Sequence, residues 1–466
     1  MGKIIKLEGG TSVELVGDAK TKVKAGGSLL GKGGQGAVYL VNDAKRQKKA
    51  FKRYLVPMSR AFIDNLRTNI EKGAPSDHFL WPQGLSEPLG PNRDLRGYIM
   101  EVYDSKKYSS FKKLLMSQVY FSNKETQLGA LIELVDAFEA LHARGFSYQD
   151  LNDGGVLFDC QNGKVLVCDC DNVAPSGENI PVDDEGHCIQ GKFKFMAPEV
   201  AINMFKPDKH SDRFSLAVLL FMLLTHAHPY DGIKRFSGPL DQALKEKVYG
   251  TEPVFIFHPT NTTNRPDPVE DKNAIVSWPT IPKFIQDLFI KTFTSGMPRI
   301  GETREELERD RQGRTSEKEW REALQRWMDT MCSCPSCNLS VCPTVTDHSI
   351  QPMQCPHCKK KIQIKLPVLL VKKRDKVVRT LILDDGKVVP KSSVTKERSH
   401  EPAIEVIRST KNREAYAMKN LLPYQWKCVQ TGSKDRLVKT GEIVGAFDKV
   451  FIEFDYDFSG EIHYTR

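Results

Sequence analysis

The stretch SYQDLNDGGVLFDCQNGKVLVCDCDN, residues 147–172, decides how the N-terminal part of this chain folds. It contains two short apolar runs, VLF and KVLV, and between them lies Asn162-Gly163, a dipeptide typical of tight hairpin turns. An antiparallel hairpin brings the residue after its second strand next to the residues before its first strand. The stretch therefore predicts that Asp169 lies beside Asp150 and that the two carboxylates share one site.

Length and composition indicate several globular domains. A chain of 466 residues with 40% hydrophobic and 27% charged residues is too long for one ordinary core, and two or three domains are expected. No secretory signal pattern opens the sequence. The most apolar run, Phe214–Leu224, is much shorter than the roughly 20 residues of a membrane span, so it predicts a buried helix.

The cysteines are clustered. Six of the eleven lie between Cys332 and Cys358, which favours metal binding in a reducing compartment, the cytoplasm, over a disulfide framework. The net charge of +9 is also local, because residues 359–398 contain 13 Lys and Arg against 4 Asp and Glu. Attraction to acidic partners is therefore expected from this segment and not from the whole surface.

Two helices are predicted ahead of the central stretch. From Ser59 to Gly73 apolar residues recur every four positions, and Ser59 is suited to the N-cap. Residues 125–145 carry a second apolar face that ends at Gly145, where a left-handed stop is expected. The change of character at Cys332 places a domain boundary near residue 331.

A glycine loop lies between two predicted strands. The segment GKGGQGAV, residues 31–38, is followed on the next strand by Ala50-Phe51-Lys52. Glycines let backbone N–H groups approach phosphates, and a nearby lysine neutralises their charge. Alone, the loop is weak support for nucleotide binding, and the alternative for Lys52 is a solvated lysine in a basic run.

With these motifs, residues 10–330 resemble the eukaryotic-type serine/threonine protein kinase family. The resemblance implies an α+β, bilobal fold over residues 1–330, with an N-lobe to about residue 102 and a C-lobe from 103. YIMEV, residues 98–102, resembles the hinge strand. The implied nucleotide-binding residues are Gly31, Gly33, Gly34, Gly36, Val38, Ala50, Lys52, Glu71, Met100, Glu101, Val102 and Leu157.

The resemblance assigns several structural roles. Glu71 lies where such kinases place the glutamate that pairs with the lysine, and the alternative is a surface pair with Arg67. Glu199 belongs to the A-P-E motif, and Arg314 resembles the arginine that pairs with it. Asp212 resembles the buried aspartate that opens the central helix of the large lobe.

The catalytic loop departs from the family pattern H-R-D-L-K-P-x-N. Asp150 keeps the position of the aspartate that accepts the substrate hydroxyl proton. Gln149 replaces the arginine that reads a phosphorylated activation loop, and residues 172–195 contain one hydroxyl residue, Ser176. Activity without phosphorylation of that loop is therefore predicted. Asn152 stands where the phosphoryl-contacting lysine is usual, which predicts slow transfer.

The metal site is altered as well. Asp169 corresponds to the principal magnesium ligand, but Gly155 replaces the asparagine of the second metal. Asn152, Asp153 and Asp171 each offer an oxygen that could replace it, and Mg²⁺ or Mn²⁺ is expected. The alternative is a polar turn whose side chains only cap the local backbone.

The cysteine pattern predicts a zinc ribbon over residues 331–365. Cys334 and Cys337 form one C-x-x-C pair, and Cys355 and Cys358 form the second. Four thiolates fill the tetrahedral sphere of one Zn²⁺, so the ion is expected to be structural. Cys332 or Cys342 is a less regular substitute ligand.

Residues 366–466 predict basic strands and a small β domain for docking or intramolecular regulation. Alternating Lys, Ile and Val in residues 359–379 suit strands with one charged face, and the segment has few aromatic residues for base stacking. A solvated face or a protein docking surface is therefore favoured over nucleic-acid binding.

The leading hypothesis is an ATP-dependent kinase acting on Ser or Thr of a protein. The Y-x-D-L-N loop, the D-x-D-N motif and the ribbon resemble kinases of bacterial tellurite-resistance and stress systems, which are associated with a von Willebrand factor A domain protein and a PP2C-type phosphatase. One rival is a pseudokinase scaffold that signals through the ribbon and β module. Another is a small-molecule phosphotransferase of kinase-like fold.

Overall fold

A computed structural model describes residues 4–16, 29–178, 180–183, 185–188, 191–235, 239, 241–297, 303–346, 348–412, 414–430 and 435–464. The chain divides into two units. The first comprises Met1–Ile275 and Asp287–Trp320, and the second comprises Val276–Gln286 and Arg321–Arg466. The division falls near residue 321, ten residues before the boundary expected at 331, and it assigns a short internal segment to the second unit.

The first unit opens with an antiparallel sheet of order β1-β2-β4-β5-β7-β6, to which β3 adds by pairing with β4. Alternation of apolar and polar residues forms these strands, and their inner faces build a small core around Val41 and Phe51. The strands are β1 (Ile4–Lys6), β2 (Ser12–Leu15), β3 (Leu29–Lys32), β4 (Gly36–Asn42), β5 (Lys48–Tyr54), β6 (Gly84–Leu85) and β7 (Gly97–Glu101).

Helix α1 (Arg60–Lys72) lies between β5 and β6 in the chain and has the predicted caps. The Ser59 side chain accepts a hydrogen bond from the Phe62 N–H, and Gly73 ends the helix at φ 70°. The buried face carries Phe62, Ile63, Leu66 and an unexpected polar residue, Asn69. This face packs with Tyr54 and Tyr98 of the sheet.

The remainder of the first unit is mainly helical. Its longest helix, α3, begins at the Asn123 N-cap, and Gly145 follows its end at φ 77°, as the sequence predicts. The apolar run 214–224 lies in the buried helix α5. The helices up to the second unit are α2 (Phe111–Leu115), α3 (Lys124–Ala143), α4 (Pro198–Ala201), α5 (Lys209–Thr225), α6 (Gln242–Glu246), α7 (Lys272–Ser277), α8 (Lys283–Thr294), α9 (Arg304–Gln312) and α10 (Glu317–Thr330).

The predicted hairpin is present in the central stretch. After β8 (Ser109–Ser110) and β9 (Phe146–Ser147), strands β10 (Val156–Asp159) and β11 (Lys164–Val167) pair with Val156 opposite Val167. Gly163 takes a left-handed φ of 69° in the turn, and the Asp159 carboxylate accepts the N–H groups of Gln161 and Asn162. Strand β12 (Ala174–Pro175) returns to pair with β9.

The second unit begins with three two-stranded hairpins in the cysteine region. Their short strands leave most of the backbone in the knuckles, and Asn338 and Lys359 adopt positive φ at the two knuckle ends. The strands are β13 (Cys332–Ser333), β14 (Ser340–Val341), β15 (Val345–Thr346), β16 (Ser349–Ile350), β17 (Met353–Gln354) and β18 (Lys361–Ile362).

Two sheets and a short helix complete the second unit. One sheet has the order β20-β19-β28-β27-β24-β25, and the other has the order β21-β22-β23-β26. Their inward side chains share a core that includes the fully buried Trp426. The elements are β19 (Val368–Lys373), β20 (Lys376–Ile382), β21 (Val388–Pro390), α11 (Lys391–Val394), β22 (Pro402–Arg408), β23 (Tyr416–Asn420), β24 (Trp426–Gln430), β25 (Arg436–Val438), β26 (Ile443–Gly445), β27 (Val450–Glu453) and β28 (Phe458–His463).

Within the described residues, none of the helices combines the length and the apolar character that crossing a membrane requires.

Candidate active site

One face of the N-terminal sheet carries the residues predicted to contact a nucleotide. Val38, Lys52 and Tyr98 are register partners across β4, β5 and β7, and Ala50 pairs with Met100 two residues along. Residues paired in this way point to the same face of a sheet. Val38, Ala50, Lys52 and Met100 are therefore brought together.

Of the other predicted nucleotide residues, the glycine loop and residues 101–102 lie at the ends of these strands. The glycine loop joins β3 to β4, and the Gly33 N–H bonds the Gly36 carbonyl at 2.9 Å. A Cβ at Gly31, Gly33 or Gly34 would meet open space, so the space around the loop is free of other protein atoms. Glu101 ends β7 and pairs with Lys49, while Val102 follows it. Leu157 is buried on β10.

The predicted ion pair between Lys52 and Glu71 is not formed. Glu71 is exposed at the end of α1, and its alternative partner Arg67 binds Glu8 and Asp64 instead. Spacing alone misled the prediction, because the position that faces inward on this helix is Asn69, two residues earlier. The Asn69 side chain donates to the Val173 carbonyl at 2.8 Å.

Asp171 takes the role expected of Glu71. Its carboxylate lies 2.9 Å from the Lys52 ammonium and is closed off from solvent. Tyr54 donates to it at 2.8 Å and Tyr98 at 3.0 Å, so each carboxylate oxygen accepts two hydrogen bonds. Burial alone would lower the pKa of Lys52, but the charges of Asp171 and Asp169 outweigh burial and raise it above its usual range.

In this arrangement the carboxylate of Asp171, one of the predicted alternative metal ligands, is engaged by other partners, and its role as a metal ligand stays a prediction. Both oxygens already accept from Lys52 and a tyrosine, and no part of the side chain is exposed to a ligand. The two tyrosines could not be recognised beforehand, because 73 residues separate Tyr98 from the carboxylate and 117 separate Tyr54.

Asp169 has a carboxylate that is still accessible to a ligand. It adopts a left-handed conformation at φ 47°, and its side chain is 55% exposed and 3.1 Å from the Lys52 ammonium. Among the described residues, the acidic groups here do not form a set of three converging ligands. One open carboxylate beside a phosphate site suits Mg²⁺, which is commonly held by one or two carboxylates together with substrate phosphates.

Asp150 is held in place by its neighbours. Asn152 donates from its side chain to the Asp150 carboxylate at 2.8 Å and accepts the Gly154 N–H at 2.8 Å. A backbone hydrogen bond from Lys192 reaches Asp150 from the other side. Burial raises the pKa of Asp150 above its usual value despite these hydrogen bonds. The arrangement gives Asn152 an orienting contact to Asp150.

Tyr148 explains the glycine at position 155. The Tyr148 hydroxyl donates to the Cys168 carbonyl, which ties the residue before Asp169 to the catalytic loop. A Cβ on Gly155 would lie 2.8 Å from that hydroxyl oxygen, closer than real Cβ contacts come. The tyrosine therefore fills the space that an asparagine at position 155 would need.

A second cation reaches the catalytic loop from the activation segment. The Lys192 ammonium forms an ion pair with Asp153, and the Lys192 side chain is 55% exposed. A Cβ on Gly154 would lie 3.7 Å from this ammonium, so the lysine rests on the loop itself. Sequence reasoning missed Lys192, because its position 40 residues after Asn152 carries no local signal. Asp153, a predicted alternative metal ligand, is engaged by this lysine.

Gln149 anchors the activation segment without a phosphate. Its side-chain amide donates to the Glu178 carbonyl at 2.7 Å, and its backbone is left-handed at φ 70°. Residues 179, 184, 189 and 190 of the segment lie outside the described residues. In the described part, a neutral amide bonds a backbone group where the family pattern has an arginine.

Buried ion pairs stabilise the part of the first unit that carries the catalytic loop. The Asp212 carboxylate accepts the Tyr148 N–H at 2.6 Å and contacts His142 at 3.1 Å, and the opposite ring nitrogen of His142 is 2.9 Å from Glu317. Burial lowers the pKa of His142, but the hydrogen bonds to the two carboxylates raise it to about 9. Glu199 and Arg314 form the predicted ion pair, with two hydrogen bonds of 2.8 Å each.

The predicted zinc ligands converge in the second unit. The sulfur atoms of Cys334, Cys337, Cys355 and Cys358 all lie within 4.8 Å of one another. The Ser336 N–H points at the Cys334 sulfur at 3.4 Å, as expected for a knuckle that supports a thiolate. Four such donors could hold one tetrahedral Zn²⁺. Cys342 lies instead beside the Thr330 hydroxyl.

Comparisons with known proteins support the kinase interpretation. Residues 92–292 match the protein kinase domain family. A putative ribosomal protein S6 kinase alpha-1 from Caenorhabditis elegans is 28% identical over 223 residues, which are 47% of this chain and 27% of that protein. The serine/threonine-protein kinase OXI1 from Arabidopsis thaliana is 32% identical over 161 residues, 32% of this chain and 37% of that protein.

A third relative, the serine/threonine-protein kinase sck2 from Schizosaccharomyces pombe, is 31% identical over 120 residues, 26% of this chain and 17% of that protein. The chain thus spans between about a sixth and a third of the length of these relatives. Together, these comparisons show that residues 92–292 are similar to the protein kinase domain and that serine/threonine kinases are among the relatives.

Proposed function

We propose that this protein transfers the γ-phosphoryl group of ATP to Ser or Thr hydroxyls of a protein substrate. The observation that carries the proposal is the cluster of Lys52, Asp169 and the neighbouring Asp150 at the hairpin ends. It combines a phosphate-binding cation, an open carboxylate and a half-buried base in one place.

In this mechanism Lys52 binds the nucleotide phosphates, and Asp171 with its two tyrosines keeps the ammonium charged and aimed. Asp150 accepts a hydrogen bond from the substrate hydroxyl and takes its proton as the new O–P bond forms, while the bond from the γ-phosphorus to the bridging oxygen breaks and ADP leaves. Its raised pKa favours that transfer at neutral pH. Asp169 is the residue that would hold Mg²⁺ or Mn²⁺, which when bound supplies positive charge to the phosphates.

Lys192 supplies the cation missing at position 152. In the family pattern, a lysine of the catalytic loop contacts the transferred phosphoryl group, and here that residue is Asn152. The exposed Lys192 ammonium lies on the same loop beside Asp153. Supplied from the activation segment, it would stabilise the charge that spreads over the transferred group.

The proposal also covers regulation, partners and a zinc site. The Gln149 anchor supports activity without phosphorylation of the activation segment. The motif resemblance supports membership of a bacterial stress or tellurite-resistance system, with a cytoplasmic location and a vWA-domain protein and a PP2C-type phosphatase as partners. The cysteine cluster is proposed to bind one structural Zn²⁺.

The test is transfer of radiolabelled phosphate from ATP to a generic acceptor protein, followed by phosphoamino acid analysis. Asp150→Asn and Asp169→Asn are expected to lower the rate by about 10²-fold or more, because each removes one charged group of the site. Glu71→Gln is the matched control and is expected to retain the parent rate, since Glu71 is exposed. ATP binding by the parent without any transfer would instead support the pseudokinase scaffold.

A further inference from the structure

We propose that a basic groove in the second unit docks an extended acidic segment of a partner polypeptide along strand β20. The groove has a volume of about 1010 Å³. Its lining comes from residues 282–284, one side of α10, residues 342–345, the β19–β20 hairpin, residues 392–398 and Phe458. All of these residues belong to one unit. The inference does not depend on the kinase chemistry.

The groove concentrates positive charge. Its lining contains eight Lys and Arg against three Asp and Glu, a net charge of +5. The exposed basic residues are Lys283, Arg326, Lys373, Lys376, Lys396 and Arg398. Because one acidic residue of the lining, Asp329, is buried, only Glu322 and Glu397 oppose these charges at the surface. The surface therefore favours an anionic occupant.

The wall of the groove is a sheet edge. Strand β20 ends the six-stranded sheet, and among the described residues it pairs with β19 alone. An edge strand presents backbone N–H and C=O groups that an added strand can bond. Val377 and Val378 are 42% and 44% exposed on this edge. An extended segment would gain backbone hydrogen bonds, apolar contacts and ion pairs together.

The opposite wall is fixed before any partner binds. The Ser393 hydroxyl donates to Asp329 at 2.6 Å, and the Ser392 hydroxyl donates to Gln325 at 3.0 Å. Gln325 in turn donates to Asp329 at 3.0 Å. These buried contacts hold the start of residues 392–398 against α10, so the basic side chains beyond it project from a rigid support.

The aromatic residues of the groove disfavour single-stranded nucleic acid. The Arg326 guanidinium covers the Phe284 ring at 4.3 Å from its centroid. Phe458 is 8% exposed, and the Lys373 ammonium lies 5.7 Å from its ring centroid. Neither ring offers the open face on which bases stack. The exposed Val377 and Val378, which lie between Lys376 and Arg379, suit a polypeptide better.

The test measures fluorescence anisotropy of labelled peptides of about twelve residues with the full-length protein. One peptide alternates Glu with Val and Thr, a second carries phosphoserine in place of Glu, and a third carries Lys in place of Glu. We expect binding of the Glu peptide, the phosphoserine peptide or both, and no binding of the Lys peptide. Which acidic peptide binds shows whether carboxylate or phosphate charge is recognised. Raising NaCl from about 50 to about 300 mM should weaken this binding.

Charge-reversed proteins and N-methylated peptides distinguish binding in the groove from nonspecific electrostatic attraction to the protein. Lys376→Glu with Lys396→Glu is expected to weaken binding at least tenfold, whereas Lys411→Glu with Lys439→Glu, exposed lysines of the same unit outside the groove, is expected to leave it within about twofold. Acidic peptides N-methylated at alternate residues, one for each strand register, test the edge. One register should lose binding, because methylation removes its backbone donors.

The proposal is overturned by three results. Equal binding of the acidic peptides by both charge-reversed proteins would show that the peptides do not bind in the groove. Full binding by both N-methylated peptides would exclude strand addition. Preference for a single-stranded oligonucleotide over every acidic peptide, or binding of neither, would mean that the groove does not receive polypeptide and that its lysines only guard the edge against self-pairing.

Discussion

At the scale of single residues, the unusual catalytic loop consists of compensating exchanges. Tyr148 occupies the space over Gly155 and bonds the Cys168 carbonyl, so the glycine follows from the tyrosine. Asp171, two residues after Asp169, replaces a glutamate from helix α1 as the buried partner of Lys52. Each departure from the family pattern thus has a partner nearby in space.

Lys192 gives the sharpest prediction at this scale. Lys192→Met is expected to lower kcat by about 10²-fold with little change in the KM for ATP, because the cation acts on the transferred group and not on nucleotide binding. Steady-state kinetics at saturating acceptor measure both constants. Adding Asn152→Lys to this variant should restore much of kcat, since it returns the cation to the usual position.

Lys194→Met is the control for that experiment. Lys194 lies two residues on in the same segment but pairs with Asp231 at 2.8 Å, so its loss should change kcat by no more than about twofold. A Lys192→Met protein with the parent kcat would show that no cation from the activation segment takes part. An inactive parent would instead refute phosphoryl transfer itself.

Spacing and turn signals could predict contacts within one local motif, whereas the distant pair of Glu199 and Arg314 was predicted from the family resemblance. The hairpin signal predicted that VLF pairs with the strand after Asn162-Gly163, which the structure shows with Val156 opposite Val167, and it predicted that Asp169 lies near Asp150. Lys52 could be named as a phosphate-binding candidate, but its buried partner depends on Tyr54 and Tyr98, which sheet register brings together. Such contacts depend on the packing of distant strands and helices, which no spacing rule encodes.

At the scale of secondary-structure elements, one buried histidine connects α3 to α5 and to the start of α10. His142 lies between Asp212 and Glu317, which also receives two hydrogen bonds from Arg213. Because Asp212 accepts the Tyr148 N–H, the same network supports the catalytic loop. Apolar periodicity with the Ser59 and Gly145 end signals predicted α1 and α3, but this connection depends on residues up to 175 positions apart.

The raised pKa of His142 predicts how stability depends on pH. The pKa is about 9 in the folded protein against 6.5 in the unfolded chain, so protonation stabilises the fold fully below about pH 6.5. This contribution, on the order of 2–3 kcal/mol, is lost as pH rises through 9. His142→Gln should therefore show a smaller fall in unfolding free energy between about pH 6 and pH 10.

Urea unfolding of both proteins across this pH range measures the difference. His226→Asn is the control, because His226 is exposed at a left-handed position that asparagine tolerates. It should keep the parent slope of unfolding free energy against pH. The same slope in His142→Gln as in the parent would show that His142 is not protonated between its carboxylates.

At the scale of the whole molecule, the two units divide different tasks. The kinase residues all lie in the first unit, while the cysteine cluster and the basic groove lie in the second. The fold of the second unit explains the charge excess of residues 359–398, because the β19–β20 hairpin and residues 392–398 place much of it around one groove. Sequence located the charge, and only the sheet order shows that it borders an open edge.

Removal of the metal is predicted to destabilise the second unit and to leave catalysis by the first unit intact. The purified protein should contain one Zn²⁺ per chain by elemental analysis, and a strong chelator should lower the melting temperature of the second unit by at least about 10 °C. The reason is that, without the ion, the hairpins of two-residue strands keep only the apolar contacts of a small core. Calorimetry of the full chain measures this transition.

Cysteine variants complete that test. Cys337→Ser should abolish stoichiometric zinc and reproduce the lowered transition, whereas Cys342→Ser, outside the cluster, should retain both. Phosphoryl transfer to a generic acceptor should survive in both variants, because Lys52, Asp150 and Asp169 belong to the first unit. A Cys337→Ser protein that retains full zinc and the parent melting temperature would contradict the assignment of a four-cysteine structural site.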